Sequence, residues 1–163
     1  MKLTFKGQMV ETNGTPIEEG RTLPSFTVKN AAGKPVASQD IHQRLTMISV
    51  VPDIDTRVCS LSTKRFNQKC DDFENVDFYT ISTNTIAEQK HWCAAEGVKK
   101  MQLLSDADHS FGEAMGLFIP EKGIDARSIW VVDQKGTVVY RELIEELSHE
   151  PNYDAVLEFL SRK

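Results

Sequence analysis

Residues 45–59 read LTMISVVPDIDTRVC, and the chemistry of the chain centres on the cysteine that closes them. Cys59 lies three positions after Thr56 and seven after Pro52. Leu45–Val51 is an apolar, β-branched run that reads as a strand buried on both faces. Pro52 ends it, because proline cannot donate to a sheet ladder. A helical pattern begins near Val58, so Cys59 is expected in the first turn of a helix. Free backbone N–H groups and the positive end of the helix dipole favour a thiolate there. The magnitudes set a condition. A cysteine of ordinary pKa is only about 3% ionised at pH 7, and a two-unit drop takes about 2.7 kcal/mol. A helix N-terminus contributes roughly 0.3–1 kcal/mol, at most ~2. Thr56 offers a hydroxyl, and Arg57 and Arg127 are the candidate cations. On this ground alone Cys59 is either a nucleophile or an inert core thiol.

Two further cysteines bear on that choice. Cys59, Phe66, Cys70 and Phe73 share one helical stripe, which turns Cys59 inward, to the mouth of a pocket. Cys70, deeper on the same stripe, then reads as a small core hydrophobe between Phe66 and Phe73. Cys93 is in phase with Ile86 on a later helix and on its own reads as core. Its alternative is a reversible disulfide with Cys59 in the same chain, for which a turn of helix would have to unwind. Three cysteines without a C-x-x-C exclude a disulfide scaffold and a four-cysteine zinc site. His91-x-Cys93 is half of a metal site at most, with no second pair to complete it.

The elements that must position these groups follow from periodicity and turn signals. A hairpin opens the chain (Leu3–Phe5, Met9–Val10), and Phe26–Val28 is a short strand. The helix from about Val58 to Phe73 is followed by a buried strand, Val76–Ser82. Thr85–Glu96 is a helix with Thr85 as its N-cap and Gly97 as its stop. Met101–Leu104 is a strand and Ser110–Met115 a short helix. Ser128–Val132 and Thr137–Leu143 form a hairpin, and a last helix starts near Pro151 with Tyr153, Val156, Leu157 and Leu160 on one apolar face. This order predicts a thioredoxin-like three-layer α/β sandwich with a central mixed sheet and an N-terminal β-hairpin, in a single domain over residues 1–163.

Composition bounds the function. The chain of 163 residues is 40% hydrophobic and 26% charged, which suits a globular protein rather than a disordered one. Its net charge of −5 argues against nucleic acid as a partner. No signal-peptide core or membrane-length apolar stretch is present, so a cytoplasmic location without membrane contact is expected.

With these residues in view, the chain resembles the peroxiredoxins, whose active-site pattern P-x3-T-x2-C is met by Pro52, Thr56 and Cys59. It is most similar to their bacterial thiol peroxidase subfamily, of the atypical two-cysteine type. The segments IDTRVCSLSTKRFN, WCAAEG, IDARSIWVVD and SHEPNYDAVLEFL carry that resemblance. The resemblance implies a peroxidatic Cys59 and a resolving Cys93 joined in an intrachain disulfide. It implies that Thr56 and Arg127 bind the thiolate and the peroxide, and that Pro52 shields the sulfur. It further implies hydrogen peroxide and organic hydroperoxides as substrates, thioredoxin as reductant, a homodimer, and no metal or organic cofactor. Asp53 and Arg57 depart from the family pattern, which commonly has a small residue and a glycine there. Their charges would act on the thiolate in opposite directions. The apolar stretch Met115, Leu117, Phe118, Ile119 and Pro120 is either core or a wall for an organic hydroperoxide or part of a dimer face.

Overall fold

The chain opens on a hairpin of β1 (Lys2–Phe5) and β2 (Gln8–Glu11). Lys6 and Gly7 at its turn have φ of 51° and 82°, as a two-residue turn between twisted strands requires. The structure, a computed structural model, describes residues 1–96 and 101–163, with side chains except those of Arg57, Asp71 and residues 93–96. Three expectations therefore lie outside the described residues: Gly97 as a helix stop, the side-chain position of Arg57, and the Cys59–Cys93 pairing.

After a loop come β3 (Thr27–Lys29), β4 (Pro35–Ala37), α1 (Ser38–Ile41) and β5 (Leu45–Val50). Helix α2 (Arg57–Lys69) ends in a 3-10 turn at Cys70–Asp72, earlier than its apolar stripe suggested. A tightened last turn of this kind is common where helix carbonyls lack partners. Next are β6 (Val76–Ser82), α3 (Ile86–Glu96), β7 (Gln102–Ser105) and α4 (Ser110–Met115). A small hairpin, β8 (Phe118–Ile119) and β9 (Ile124–Asp125), precedes β10 (Ser128–Val132), β11 (Val138–Leu143) and α5 (Tyr153–Ser161).

Seven strands make one sheet in the order β11-β10-β5-β6-β7-β3-β4. β5, β6 and β7 are parallel, and the pairings outside them are antiparallel. Alternate residues of β5 serve opposite faces. Met47 packs with Phe66 of α2 and Val156 and Leu160 of α5. Ile48 and Val50 pack with Ile41 of α1, Phe111 and Met115 of α4, and Leu3 and Val10 of the hairpin. Cover on both sides explains why β5 carries apolar residues on both faces rather than on alternate positions only, and gives the expected three-layer thioredoxin-like sandwich. Sequence reading missed β4, α1, β8 and β9, which are two to four residues each and too short for a period to register. Thr85 does cap α3, in a reciprocal box: its Oγ1 accepts from Glu88 N at 3.2 Å, and Glu88 Oε1 accepts from Thr85 N at 2.9 Å.

Candidate active site

Pairing at the end of β5 continues one residue further, with Val51 N donating to Ile81 O at 3.0 Å. Buried Pro52 then breaks the ladder. The loop beyond it is tied down by Asp53 and Asn84. Asp53 O accepts from Thr56 N at 3.1 Å and from Thr56 Oγ1 at 2.9 Å. Asp53 Oδ1 accepts from Asp55 N at 3.1 Å and from Asn84 Nδ2 at 3.0 Å, while Asn84 Oδ1 accepts from Ile54 N at 2.8 Å. The Asp53 carboxylate is thus engaged by the segment between β6 and α3. Thr56 is the extended N-cap residue of α2, and its carbonyl accepts from Ser60 N at 2.8 Å. Its exposed hydroxyl is turned to Asp53 O, whereas the resemblance implied a bond to the sulfur.

Cys59 is the third residue of α2, within the turn whose N–H groups lack intrahelical acceptors. Its side chain has no solvent exposure and packs with Val51, Ile54, Trp92 of α3 and Leu103 of β7. The expected pocket mouth is therefore a covered site. Trp92 is fastened over α2 by Nε1 donating to Ser60 Oγ at 3.2 Å.

Arg127 is 68 positions from Cys59 yet meets it, with Nη2 donating to Sγ at 3.1 Å. Register explains the meeting. β10 runs antiparallel to β5 with Ser128 opposite Val50, so the residue before β10 lies beside the exit of β5. The guanidinium is 3% exposed; Nε donates to Leu147 O at 2.9 Å, and buried Nη1 has no acceptor among the described residues. A thiolate at this sulfur would accept a charge-assisted hydrogen bond. The open Nη1 is a donor available to an incoming oxygen.

The sequence did not point to Leu147, because a backbone carbonyl acting on a distant side chain carries no residue signature. It named Tyr153 only as part of the apolar face of the last helix, with no partner for its hydroxyl. That ring packs edge-on against Phe66 under the Arg65 guanidinium, and its hydroxyl donates to Glu150 Oε1 at 2.9 Å. Burial pushes the phenol up to about 12, while the Arg127 charge pulls the other way.

Cys70 is half-buried rather than deep; its thiol donates to Phe66 O at 3.2 Å and it packs at the edge of the α2–α5 core. Met115, Leu117, Phe118 and Ile119 are buried, with Met115, Leu117 and Ile119 in the opposite-face core, so they serve packing. A buried acidic pair lies near by. Asp106 accepts from Phe111 N and Gly112 N, each at 2.8 Å, and neither oxygen of buried Asp125 has a hydrogen-bond donor among the described residues. Desolvation first, then the facing Asp106 and the charge of Glu113, hold the Asp125 carboxyl well above the usual range. Among the described residues, no group of three or more His, Cys, Asp or Glu side chains could hold a metal ion. No described helix is long and apolar enough to cross a membrane.

Comparison with known proteins accords with this geometry. Residues 20–141 match the family model described as the AhpC/TSA family. A thiol peroxidase of Clostridium acetobutylicum is 41% identical over 159 residues, covering 97% of this chain and 96% of the relative. A thiol peroxidase of Listeria innocua is 43% identical over 158 residues, 96% of each. A peroxiredoxin-like protein from Aquifex aeolicus superposes with a TM-score of 0.91 at 29% identity, covering 99% of this chain and 96% of that one. The thiol peroxidase of Chromobacterium violaceum, at 18% identity, shares the fold with a TM-score of 0.88 over 99% of this chain and 96% of its own. A buried cysteine at a helix start, faced by an arginine on a thioredoxin-like sheet, is thus found in a chain that belongs to the AhpC/TSA family, as a peroxidase of the thiol peroxidase type.

Proposed function

We propose that this peroxidase reduces hydrogen peroxide and organic hydroperoxides through Cys59, that Cys93 resolves the product, and that thioredoxin restores both thiols. The observation that carries the reading is the Arg127 guanidinium, which donates to Cys59 Sγ at 3.1 Å and keeps Nη1 open in a buried site. The Cys59 thiolate attacks the terminal oxygen of the hydroperoxide in line with the O–O bond. An S–O bond forms, the O–O bond breaks, and the leaving oxygen takes a proton to become water or an alcohol. Sulfur loses two electrons and becomes a sulfenic acid. Arg127 and the free N–H groups of the first turn of α2 oppose the charge that builds on oxygen. Thr56 adds its hydroxyl once it is released from Asp53 O, and Pro52 limits water at the sulfur. The Cys93 thiolate then attacks the Cys59 sulfenic acid, the S–O bond breaks, the departing hydroxide takes a proton from solvent to become water, and the disulfide forms. A thioredoxin dithiol takes over the disulfide and supplies the two electrons. Sulfur carries the redox change throughout, so no metal or organic cofactor enters. Because Cys59 is covered and helical, the resolving step requires the first turn of α2 to unwind. We further assign residues 1–163 to one peroxiredoxin domain that works as a cytoplasmic homodimer, without nucleic-acid or membrane partners.

The test treats the reduced protein with one equivalent of hydrogen peroxide and maps thiols by mass spectrometry. A Cys59–Cys93 disulfide with Cys70 still reduced is expected, and Cys93→Ser should accumulate a sulfenic acid on Cys59. Peroxide consumption by Cys59→Ser at the parent rate would sink the mechanism. A coupled assay with thioredoxin and its reductase tests the reductant; no turnover there would reject that partner.

A further inference from the structure

Among the described residues, the Arg127 guanidinium has one hydrogen-bond acceptor besides the sulfur, Leu147 O, which takes Nε at 2.9 Å. Leu147 lies in the turn-rich segment between β11 and α5, outside the sheet. Something else must fix that carbonyl, and the N-terminal hairpin does. Thr4 of β1 donates from N to Glu145 O and accepts at O from Leu147 N, both at 2.8 Å. The same segment is clasped by a side chain. Glu146 Oε1 accepts from Lys6 N at 2.8 Å, Ser148 N at 3.2 Å and Ser148 Oγ at 2.6 Å. Glu146 Oε2 accepts from Thr4 Oγ1 and, at 3.3 Å, from Gly7 N. Five donors, three of them from the hairpin, converge on one carboxylate immediately before Leu147. The bonds from Ser148 and Thr4 hold that carboxyl far below the usual range, so it stays ionised as the clasp needs.

We propose that Glu146 is a positioning residue for the peroxidase reaction. By gripping the turn of the N-terminal hairpin, it fixes the Leu147 carbonyl and, through it, the Arg127 guanidinium at Cys59. The proposal rests on the reading of Cys59 as the attacking thiolate. It gives the hairpin, which stands outside the seven-stranded sheet, a part in the chemistry.

Electrostatics gives a discriminating sign. Removing an anion should by charge alone favour a thiolate at Cys59, whereas misaiming Arg127 should disfavour it. The experiment follows the ultraviolet absorbance of the thiolate against pH in full-length Cys70→Ser/Cys93→Ser protein, where only Cys59 absorbs as a thiolate. Glu146→Gln and, without a change of charge, Thr4→Val should each shift the profile to higher pH. Half-ionisation should then require a roughly 3- to 30-fold lower proton concentration. Asn152→Ala removes the cap that Asn152 Oδ1 provides to Ala155 N at 3.1 Å. It should lower Tm and leave the profile in place. In an Arg127→Gln background the Glu146→Gln shift should vanish. The proposal is overturned by an unmoved profile, a shift to lower pH, or a shift that survives Arg127→Gln. Peroxide consumption with Cys70 and Cys93 intact is read separately. If the profile shifts through Arg127 but Cys59→Ser still consumes peroxide, the positioning stands and the role of Cys59 falls.

Discussion

Replacing Arg127 with glutamine tests the central contact most directly. Two unit charges 3.1 Å apart, the Nη2–Sγ separation, interact by about 5 kcal/mol at an effective dielectric of 20. That is an upper bound, since measured hydrogen bonds to charged groups contribute about 1.5–3 kcal/mol. At 1.36 kcal/mol per tenfold change, the lower range gives a loss of roughly 10- to 150-fold in thiolate-dependent rate. The variant also removes the open Nη1 donor, and one oxyanion donor typically accounts for about 10²–10³-fold. Both losses come from one guanidinium and do not simply add, so a fall in kcat/KM of about 10²-fold or more is expected. The assay is single-turnover oxidation of the reduced protein by peroxide in a stopped-flow fluorimeter. Trp92 reports it, being 3% exposed and packed in the Cys59 cluster. Glutamine leaves Leu147 O without its Nε donor, which costs about 1–3 kcal/mol of stability. Circular dichroism must therefore show a folded variant at the assay temperature. Arg127→Lys keeps a charge but not the forked geometry, and should fall between the two. Oxidation of folded Arg127→Gln within threefold of the parent rate would refute the argument.

Other expectations concern the surrounding frame. Asp125 is raised by burial and by Asp106, so its proton stabilises the fold below the unfolded carboxylate pKa of ~3.9, and that stability is lost as pH rises through the higher folded value. Asp125→Asn should therefore raise Tm at pH 8 more than at pH 5, as measured by thermal melts; an equal effect at both would contradict the assignment. Gly112 packs so closely on this pair that a Cβ would lie 1.9 Å from Asp125 Oδ1. Gly112→Ala should cost about 1–3 kcal/mol in urea unfolding, and no loss would mean that the acidic pair yields easily. Thr85→Ala removes the capping box of α3, for an expected loss of ~1 kcal/mol by the same method.

Much of this could be read along the chain because it is local. The exit of β5 at Pro52 and the start of α2 just before Cys59 follow from a buried apolar run, a proline and a helical period. The capping box follows from Thr85 and Glu88 three positions apart. Helical phase correctly turned Cys59 inward but overextended the stripe to Phe73, because the backbone tightens into a 3-10 turn at Cys70. That leaves Cys70 half-buried instead of deep. Phase also says on which side a residue lies and nothing about what covers it, so the complete burial of Cys59 under Trp92, Ile54 and Leu103 was not legible.

By itself, the sequence determined the thiol at a helix start, the order of the main elements and the family, all carried by neighbouring residues and contiguous motifs. The tertiary structure set one distant cation, Arg127, against that thiol. From residue types alone Arg57 and Arg127 were both candidates, and only the resemblance pointed to Arg127. The geometry brings Arg127 to the sulfur because β10 pairs with β5 in a register that sets Ser128 opposite Val50. It also enlisted the Leu147 carbonyl and the Glu146 clasp, and it left the Asp125 carboxyl buried beside other acidic groups. Strand order and register come from many weak contacts distributed over the whole sheet, so groups that meet across 68 positions leave no local trace.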